Sequence, residues 1–215
     1  MIIKKIRERI KQVIDGIKFF VVKTDKDSSI DFIFSNSCAK ISQNREEFEK
    51  LIHIFRNLDP SRILEIGTYK GGSLYVFSRQ KKDMEIVSVD YPMKGERLKW
   101  FKYLMIKNIP TKKQKLHLLK MNSHEPGILK KVKDIFKGRK IDFLFIDADH
   151  SYAGVKSDFN MYSPLVRKGG IIGLHDIASK KGVIKFWNEI KREYNSEEIL
   201  AANKNDWIGI GVIIK

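Results

Sequence analysis

The sequence predicts an α/β fold: a doubly wound sheet of seven strands, mostly parallel, ending in an antiparallel hairpin and preceded by helices. Three observations lead there. From Arg62 onward, short apolar runs alternate with amphipathic stretches, the pattern of successive βαβ units. A glycine-rich turn joins the first of these runs to a helical stretch. The last two runs are separated by residues 203–206 alone, too few for a parallel crossover. At 215 residues, 42% hydrophobic and 32% charged, the chain has material for one such domain and a short appendage.

The elements follow in order. Ile3, Ile6, Ile10, Val13, Ile14 and Ile17 recur at helical spacing among lysines and arginines, so residues 2–18 read as a basic amphipathic helix. Its apolar face is expected to pack on its own domain or on a second subunit, making the helix a candidate homo-oligomer contact; an anionic membrane is the rarer destination. Residues 24–44, rich in Ser, Asp, Lys and Asn, read as a linker or flexible loop. A second helix runs from Arg45 to Leu58 and is closed by Asp59-Pro60. Residues 1–59 thus form an N-terminal helical appendage with a linker, and residues 60–215 the main domain. The parallel strands are read as 63–66, 86–90, 116–121, 141–147 and 170–175. A helix over 183–194 follows, with Val183, Phe186, Trp187 and Ile190 on one face, and strands over 198–202 and 207–214 form the hairpin.

No apolar stretch of about twenty residues occurs, which argues against a membrane-spanning helix. Arg7, Glu8, Arg9, Lys11 and Asp15 interrupt any signal-peptide core, so cytoplasmic residence is expected. Cys38 is the single cysteine; it excludes an internal disulfide and a cysteine-built metal site, and is expected to be a small, at least half-buried side chain. The net charge is +16 and unevenly placed: residues 1–24 carry +5, residues 94–140 carry +12, and the remainder sums to −1. Such a balance raises nucleic acid or an anionic membrane as a partner. Because the glycine turn and the acidic cluster described below fall in the near-neutral remainder, the excess reads better as solvated outer helices.

The first strand runs into Glu65-Ile66-Gly67-Thr68-Tyr69-Lys70-Gly71-Gly72-Ser73. Such a turn brings backbone N–H groups close to a ligand at a helix N-terminus, and Asp90, ending the second strand, stands where a carboxylate accepts hydrogen bonds from ribose hydroxyls. Together they indicate a nucleoside-containing cofactor. The spacing G-x-x-x-G-G departs from the dinucleotide fingerprint, and Glu65 would repel a pyrophosphate, which favours S-adenosylmethionine. The stretches EIGTYKGGS, VSVDY and FIDADHSYAGVKSDFNMYSPLVRKGGIIGLHD resemble class I S-adenosylmethionine-dependent methyltransferases of Rossmann-like fold. Within them the resemblance is to the metal-dependent O-methyltransferase and cephalosporin hydroxylase-like branch, methyltransferase family 24. It covers about residues 60–215. It implies cofactor roles for Glu65, Gly67, Thr68, Tyr69, Gly71 and Ser73 in the loop, for Asp90 at the ribose, for Asn122 and Ser123 at the adenine, and for Tyr91 and Asp147.

Asp147, Asp149 and His150 follow the fourth strand, and His175-Asp176 ends the fifth. These strand ends are neighbours on the ligand-binding edge of a doubly wound sheet. The resemblance implies that Asp147, His175 and Asp176 hold a divalent metal, Mg or Mn, and that His150 is the general base that takes the acceptor hydroxyl's proton. His175 departs from the oxygen donors usual in the family, which leaves the identity of the metal open and leaves open a metal-free site with His150 as base. Asp149 is assigned to loop structure or a cofactor contact. The expected activity is O-methylation of a hydroxyl on a small molecule such as a sugar or secondary metabolite. Nucleic-acid methylation is the alternative, although the chain lacks an N-P-P-Y or D-P-P-Y after the fourth strand; a non-catalytic module binding RNA or membrane through its basic surface is another. Tyr152 and Lys156 have the Y-x-x-x-K spacing of short-chain dehydrogenases, but position 139 is Arg139 where a serine would be needed.

Overall fold

The computed structural model describes residues 2–22, 24–39, 41–91, 99–111 and 113–215; Ile3, part of the periodicity above, and residues 94–102 and 112 of the basic segment lie outside the residues whose side chains are described. Three helices lead in: α1 (Ile2–Val21), α2 (Ser29–Ser35) and α3 (Arg45–Leu58). Then β1 (Arg62–Ile66), α4 (Gly72–Gln80), β2 (Glu85–Val89), α5 (Lys99–Lys107), β3 (Lys115–Leu119), α6 (Ile128–Ile135), β4 (Ile141–Ile146), α7 (Tyr152–Tyr162), β5 (Val166–His175) and α8 (Lys181–Ile190) alternate. The hairpin strands β6 (Asn195–Ile199) and β7 (Ile210–Ile214) close the chain. The sheet order is β3-β2-β1-β4-β5-β7-β6, parallel throughout except for β7, which runs antiparallel to both neighbours.

Side-chain alternation divides the core between the two faces of this sheet. Ile63, Phe143 and Phe145 join Phe48, Leu51, Phe55 and Phe77 of α3 and α4 on one face. Leu64, Ile66, Leu144 and Ile146 join α6, α7 and α8 on the other. Phe77 packs edge-on against Phe143 and Phe145, with ring centroids 5.2 and 5.6 Å away, and so anchors α4 over the centre of the sheet.

Several expectations are corrected. The segment 24–44 is no linker: I-D-F-I-F within it forms α2, whose Ile30 and Ile33 are buried in the first core. The apolar face of α1 does not pack on its own domain; Ile6, Ile10, Val13, Ile14 and Ile17 are exposed. β5 begins at Val166 rather than at 170, with a register shift between Ile141 and Phe143, and β3 stops at Leu119, its last ladder bond running from Asp90 N to Leu119 O. The hairpin strands are displaced because buried Glu47 of α3 takes the backbone of their connection. Its carboxylate accepts from Ala201 N and Ile208 N at 3.0 and 3.3 Å, and from Gly209 N at 2.8 Å. Residues 200–209 therefore leave the ladder, and the connection is longer than the few residues expected, though still antiparallel.

Candidate active site

Strand register assembles the site. Ile66 of β1 pairs with Val89 of β2 and Ile146 of β4; Val89 pairs with Leu119 of β3, and Ile146 with Leu174 of β5. Parallel strands in this alignment end together, so Gly67, Asp90, Asp147 and the His175-Asp176 pair emerge at one edge. They line a cavity of about 660 Å³ together with Thr68, Tyr69, Ser73, Tyr91, Asn122, Ser123 and His150. Two of the residues expected at the cofactor, Glu65 and Gly71, are absent from this lining.

Gly67 is needed for closure of the strand edge. Its φ is +93°, and a Cβ there would stand 2.0 Å from Asp147 O, so a side chain would push the loop off β4. Gly72 is needed for another reason: a Cβ would meet Ile41 Cγ2 at 2.0 Å and Ala39 O at 2.4 Å, so this glycine lets the chain after α2 lie across the start of α4. Gly71 faces Ile106 of α5. Asp90 Oδ1 accepts from Thr68 N and Tyr69 N at 3.1 and 3.2 Å, which fixes the loop against the end of β2. Beneath the loop, fully buried Glu65 accepts from Ser73 Oγ at 2.6 Å and Ser88 Oγ at 3.0 Å. Burial pushes its carboxyl up to about 8, against the pull of these two hydroxyls.

At the adenine end expected from the sequence, Asn122 Oδ1 accepts from His124 N at 2.9 Å, which folds the turn, and Ser123 O accepts from Tyr162 Oη at 2.7 Å. His124 also lines the cavity, and its Nε2 lies 3.0 Å from Oδ1 of buried Asp158 on α7. Sequence reasoning missed His124, and it missed Gln43. Gln43 Nε2 donates to Asp147 Oδ2 at 2.7 Å, while Ile41, Ser42 and Gln43 form one wall of the cavity. No sequence signal marked them, since they fall within the polar stretch after α2.

The chemistry concentrates on two carboxylate oxygens bridged by two imidazoles. His175 Nδ1 lies 3.0 Å from Asp147 Oδ1 and 3.2 Å from Asp176 Oδ2; His150 Nε2 lies 3.0 Å from the same Asp176 oxygen and 3.5 Å from the same Asp147 oxygen. Asp176 Oδ1 also accepts from Ser179 Oγ, and the Asp176 backbone is held at φ +68°, a left-handed conformation that costs energy and is retained here at the site itself. Burial alone would raise Asp147, but the His175 charge and hydrogen bonds from His150 and His175 hold it down to about 2. Asp176 is held below the ordinary range in the same way. Hydrogen bonds donated by its ring to the Asp147 and Asp176 carboxylates lift His150 to about 9. His175 is driven down by burial and lifted more strongly by Asp147 and Asp176, to about 10.

Donor atoms of Asp147, His175 and Asp176 lie within 4.8 Å of one another, as a set sharing one cation requires. His175 Nε2 and Gln43 Oε1 are buried without a hydrogen-bond partner among the described residues, which suits a cavity that takes a polar ligand. Asp149 Oδ1 accepts from Ser151 N at 2.8 Å and orders the turn into α7, the loop role expected of it. Cys38 is half-buried, with Sγ 2.8 Å from Gln12 O, away from this cluster.

Comparison with known proteins bears on the fold and the family. A protein described as a caffeoyl-CoA O-methyltransferase from Staphylococcus aureus superposes with a TM-score of 0.65 at 19% identity, over 90% of this chain and 93% of that one. The O-methyltransferase from Bacillus cereus in complex with S-adenosylhomocysteine gives 0.59 at 16% identity, over 93% and 95%. The MycE methyltransferase of mycinamycin biosynthesis, in complex with Mg, S-adenosylhomocysteine and mycinamycin VI, gives 0.57 at 16% identity, over 90% of this chain and 55% of that one. An uncharacterized protein of Acanthamoeba polyphaga mimivirus is 33% identical over 136 residues, and the chain spans about 60% of that relative's length. A family model described as a methyltransferase domain matches residues 64–177, a span that opens on β1 and the glycine loop and closes just after the His175-Asp176 pair. With more than half of its length in that match, the chain belongs to the methyltransferase-domain family.

Proposed function

We propose that the protein is an S-adenosylmethionine-dependent O-methyltransferase acting on a hydroxyl of a small molecule, with a divalent cation held by Asp147, His175 and Asp176 and with His150 as general base. The observation that carries this reading is the pairing of two carboxylates with two imidazoles on the floor of a cavity that the glycine loop opens. The cavity volume is suited to a nucleoside-sized ligand and a modest acceptor. The cofactor, when bound, supplies an electrophilic methyl on a sulfonium, and the cation, when bound, lowers the pKa of the acceptor hydroxyl.

The remaining work belongs to the chain. Asp90 at the end of β2 is the group for the ribose, and the turn carrying Asn122, Ser123 and His124 borders the adenine. Ser73 lies under the methionine end, oriented by Glu65. Glu65 acts through that hydroxyl and not by direct contact, because it does not reach the cavity surface. His150 would accept the hydroxyl proton as the oxygen–methyl bond forms and the sulfonium–methyl bond breaks, with S-adenosylhomocysteine as the leaving group. It would do so only after losing the proton that Asp147 and Asp176 hold on it, and a cation held by those carboxylates would weaken that hold.

Calorimetric titration with S-adenosylhomocysteine should show one site per chain; no heat at millimolar ligand would reject the reading. Turnover of hydroxylated acceptors with labelled cofactor should fall by ~10²–10⁴ in His150→Ala, the usual contribution of a general base. It should also vanish with excess chelator, while S-adenosylhomocysteine binding survives both. Full activity in chelator would leave His150 and remove the cation.

A further inference from the structure

The strongest feature left unused by the site is the outward face of α1. Ile6, Ile10, Val13, Ile14 and Ile17 recur at i, i+4, i+7, i+8 and i+11 and form a continuous stripe about 17 Å long, each side chain 46–62% exposed. The opposite side of the helix is the one attached to the body. Asp15 is buried and accepts from Ser37 N and Oγ at 2.9 and 2.6 Å, Asn36 Nδ2 donates to Asp15 O, and Phe19 packs 5.1 Å from the Tyr75 ring. The stripe therefore points away from the protein, and no described residue covers it.

Charge decides what does. Arg7, Lys11 and Lys18 are exposed and form a row at i, i+4 and i+11 alongside Ile14, and residues 1–24 carry +5. A symmetric contact between two copies would set these rows against each other in a chain already at +16. An anionic bilayer meets both features at once, with acyl chains for the isoleucines and headgroups for the basic row. No helix among the described residues is long and apolar enough to cross a membrane, so the contact is interfacial. We infer that α1 docks the protein on anionic lipid surfaces, its isoleucine stripe entering the headgroup boundary and Arg7, Lys11 and Lys18 pairing with lipid phosphates. Neither signal alone holds a protein stably on a membrane, and α1 combines both.

Sedimentation of the full chain with vesicles tests this. The chain should pellet with equal parts phosphatidylglycerol and phosphatidylcholine, stay in solution with phosphatidylcholine alone, and be released by high salt. The double variant Ile10→Asp, Ile14→Asp should weaken partitioning by about tenfold or more, with an unchanged circular dichroism spectrum and unchanged S-adenosylhomocysteine binding. Arg7→Gln with Lys11→Gln and Lys18→Gln should remove the preference for anionic lipid. Three results would overturn the inference: no pelleting with the anionic vesicles, pelleting of the aspartate variant equal to wild type, or a stable dimer that the aspartate variant splits and that leaves vesicles unbound.

Discussion

At the scale of single residues, the unusual feature is how much proton chemistry the cluster stores. His150 and His175, held at about 9 and 10, are both charged at neutral pH and balance Asp147 and Asp176. A divalent cation entering among Asp147, His175 and Asp176 would have to displace the His175 proton, so Mn²⁺ affinity is expected to rise as pH goes from 6 toward about 10, with proton release visible as a buffer-dependent binding enthalpy. Binding that is flat across this window would mean that the imidazoles are already neutral. Glu65 gives the opposite slope for stability. Its carboxyl ionises near 4.5 when exposed but only near 8 when buried, so the folded state holds a proton that the unfolded state has lost, and stability falls as pH rises between these values. Glu65→Gln removes the slope. In urea unfolding its stability relative to wild type should climb with pH, by up to about 1.4 kcal/mol per unit within that window. A constant difference would place the Glu65 proton elsewhere.

Among the elements, the N-terminal helices do more for the site than their sequence suggests. The end of α2 leads into Ile41-Ser42-Gln43, which walls the cavity and reaches Asp147 across 104 positions of sequence. From α3, Glu47 holds the connection between β6 and β7, where Ile208 also lines the cavity. Glu47→Ala leaves three backbone N–H groups without their acceptor and should cost about 2–4 kcal/mol in urea unfolding. Glu47→Gln keeps a carbonyl acceptor and should cost roughly half of that; equal losses would point to charge instead of hydrogen bonding. Reach along the chain also separates what was legible in the sequence from what was not. Gly67, Asp90, Asp147, His175 and Asp176 could be read because each ends a parallel strand, and local pattern suffices to locate strand ends. Gln43, His124 and the ends of β6 and β7 could not, because they are set by contacts between segments distant in sequence. The Y-x-x-x-K pair resolves in the same way: Tyr152 and Lys156 both bond Glu189 and join α7 to α8, outside the lining of the cavity.

For the whole molecule, the question is whether an excess of sixteen positive charges acts on the chemistry. Within the cavity lining, Asp90, Asp147, Asp149 and Asp176 face Lys70 and Lys180, so the site is not a basic groove. The described lysines of the basic segment lie on outer surfaces: Lys107 ends α5, and Lys130, Lys133 and Lys137 project from α6 and its following turn, whose Ile128 and Val132 face the core. Fields from exposed charges fade over about 8 Å at physiological salt. Replacing Lys107, Lys130, Lys133 and Lys137 together by Gln should therefore leave S-adenosylhomocysteine affinity within about twofold, since each tenfold change requires about 1.4 kcal/mol, more than screened surface charges at this distance supply. The same variant should elute from heparin at lower salt, because counterion release scales with the number of cationic side chains that meet the polyanion. An unchanged elution point would move the anionic attraction to α1, and a cofactor affinity weakened tenfold would bring the flank within the field of the site.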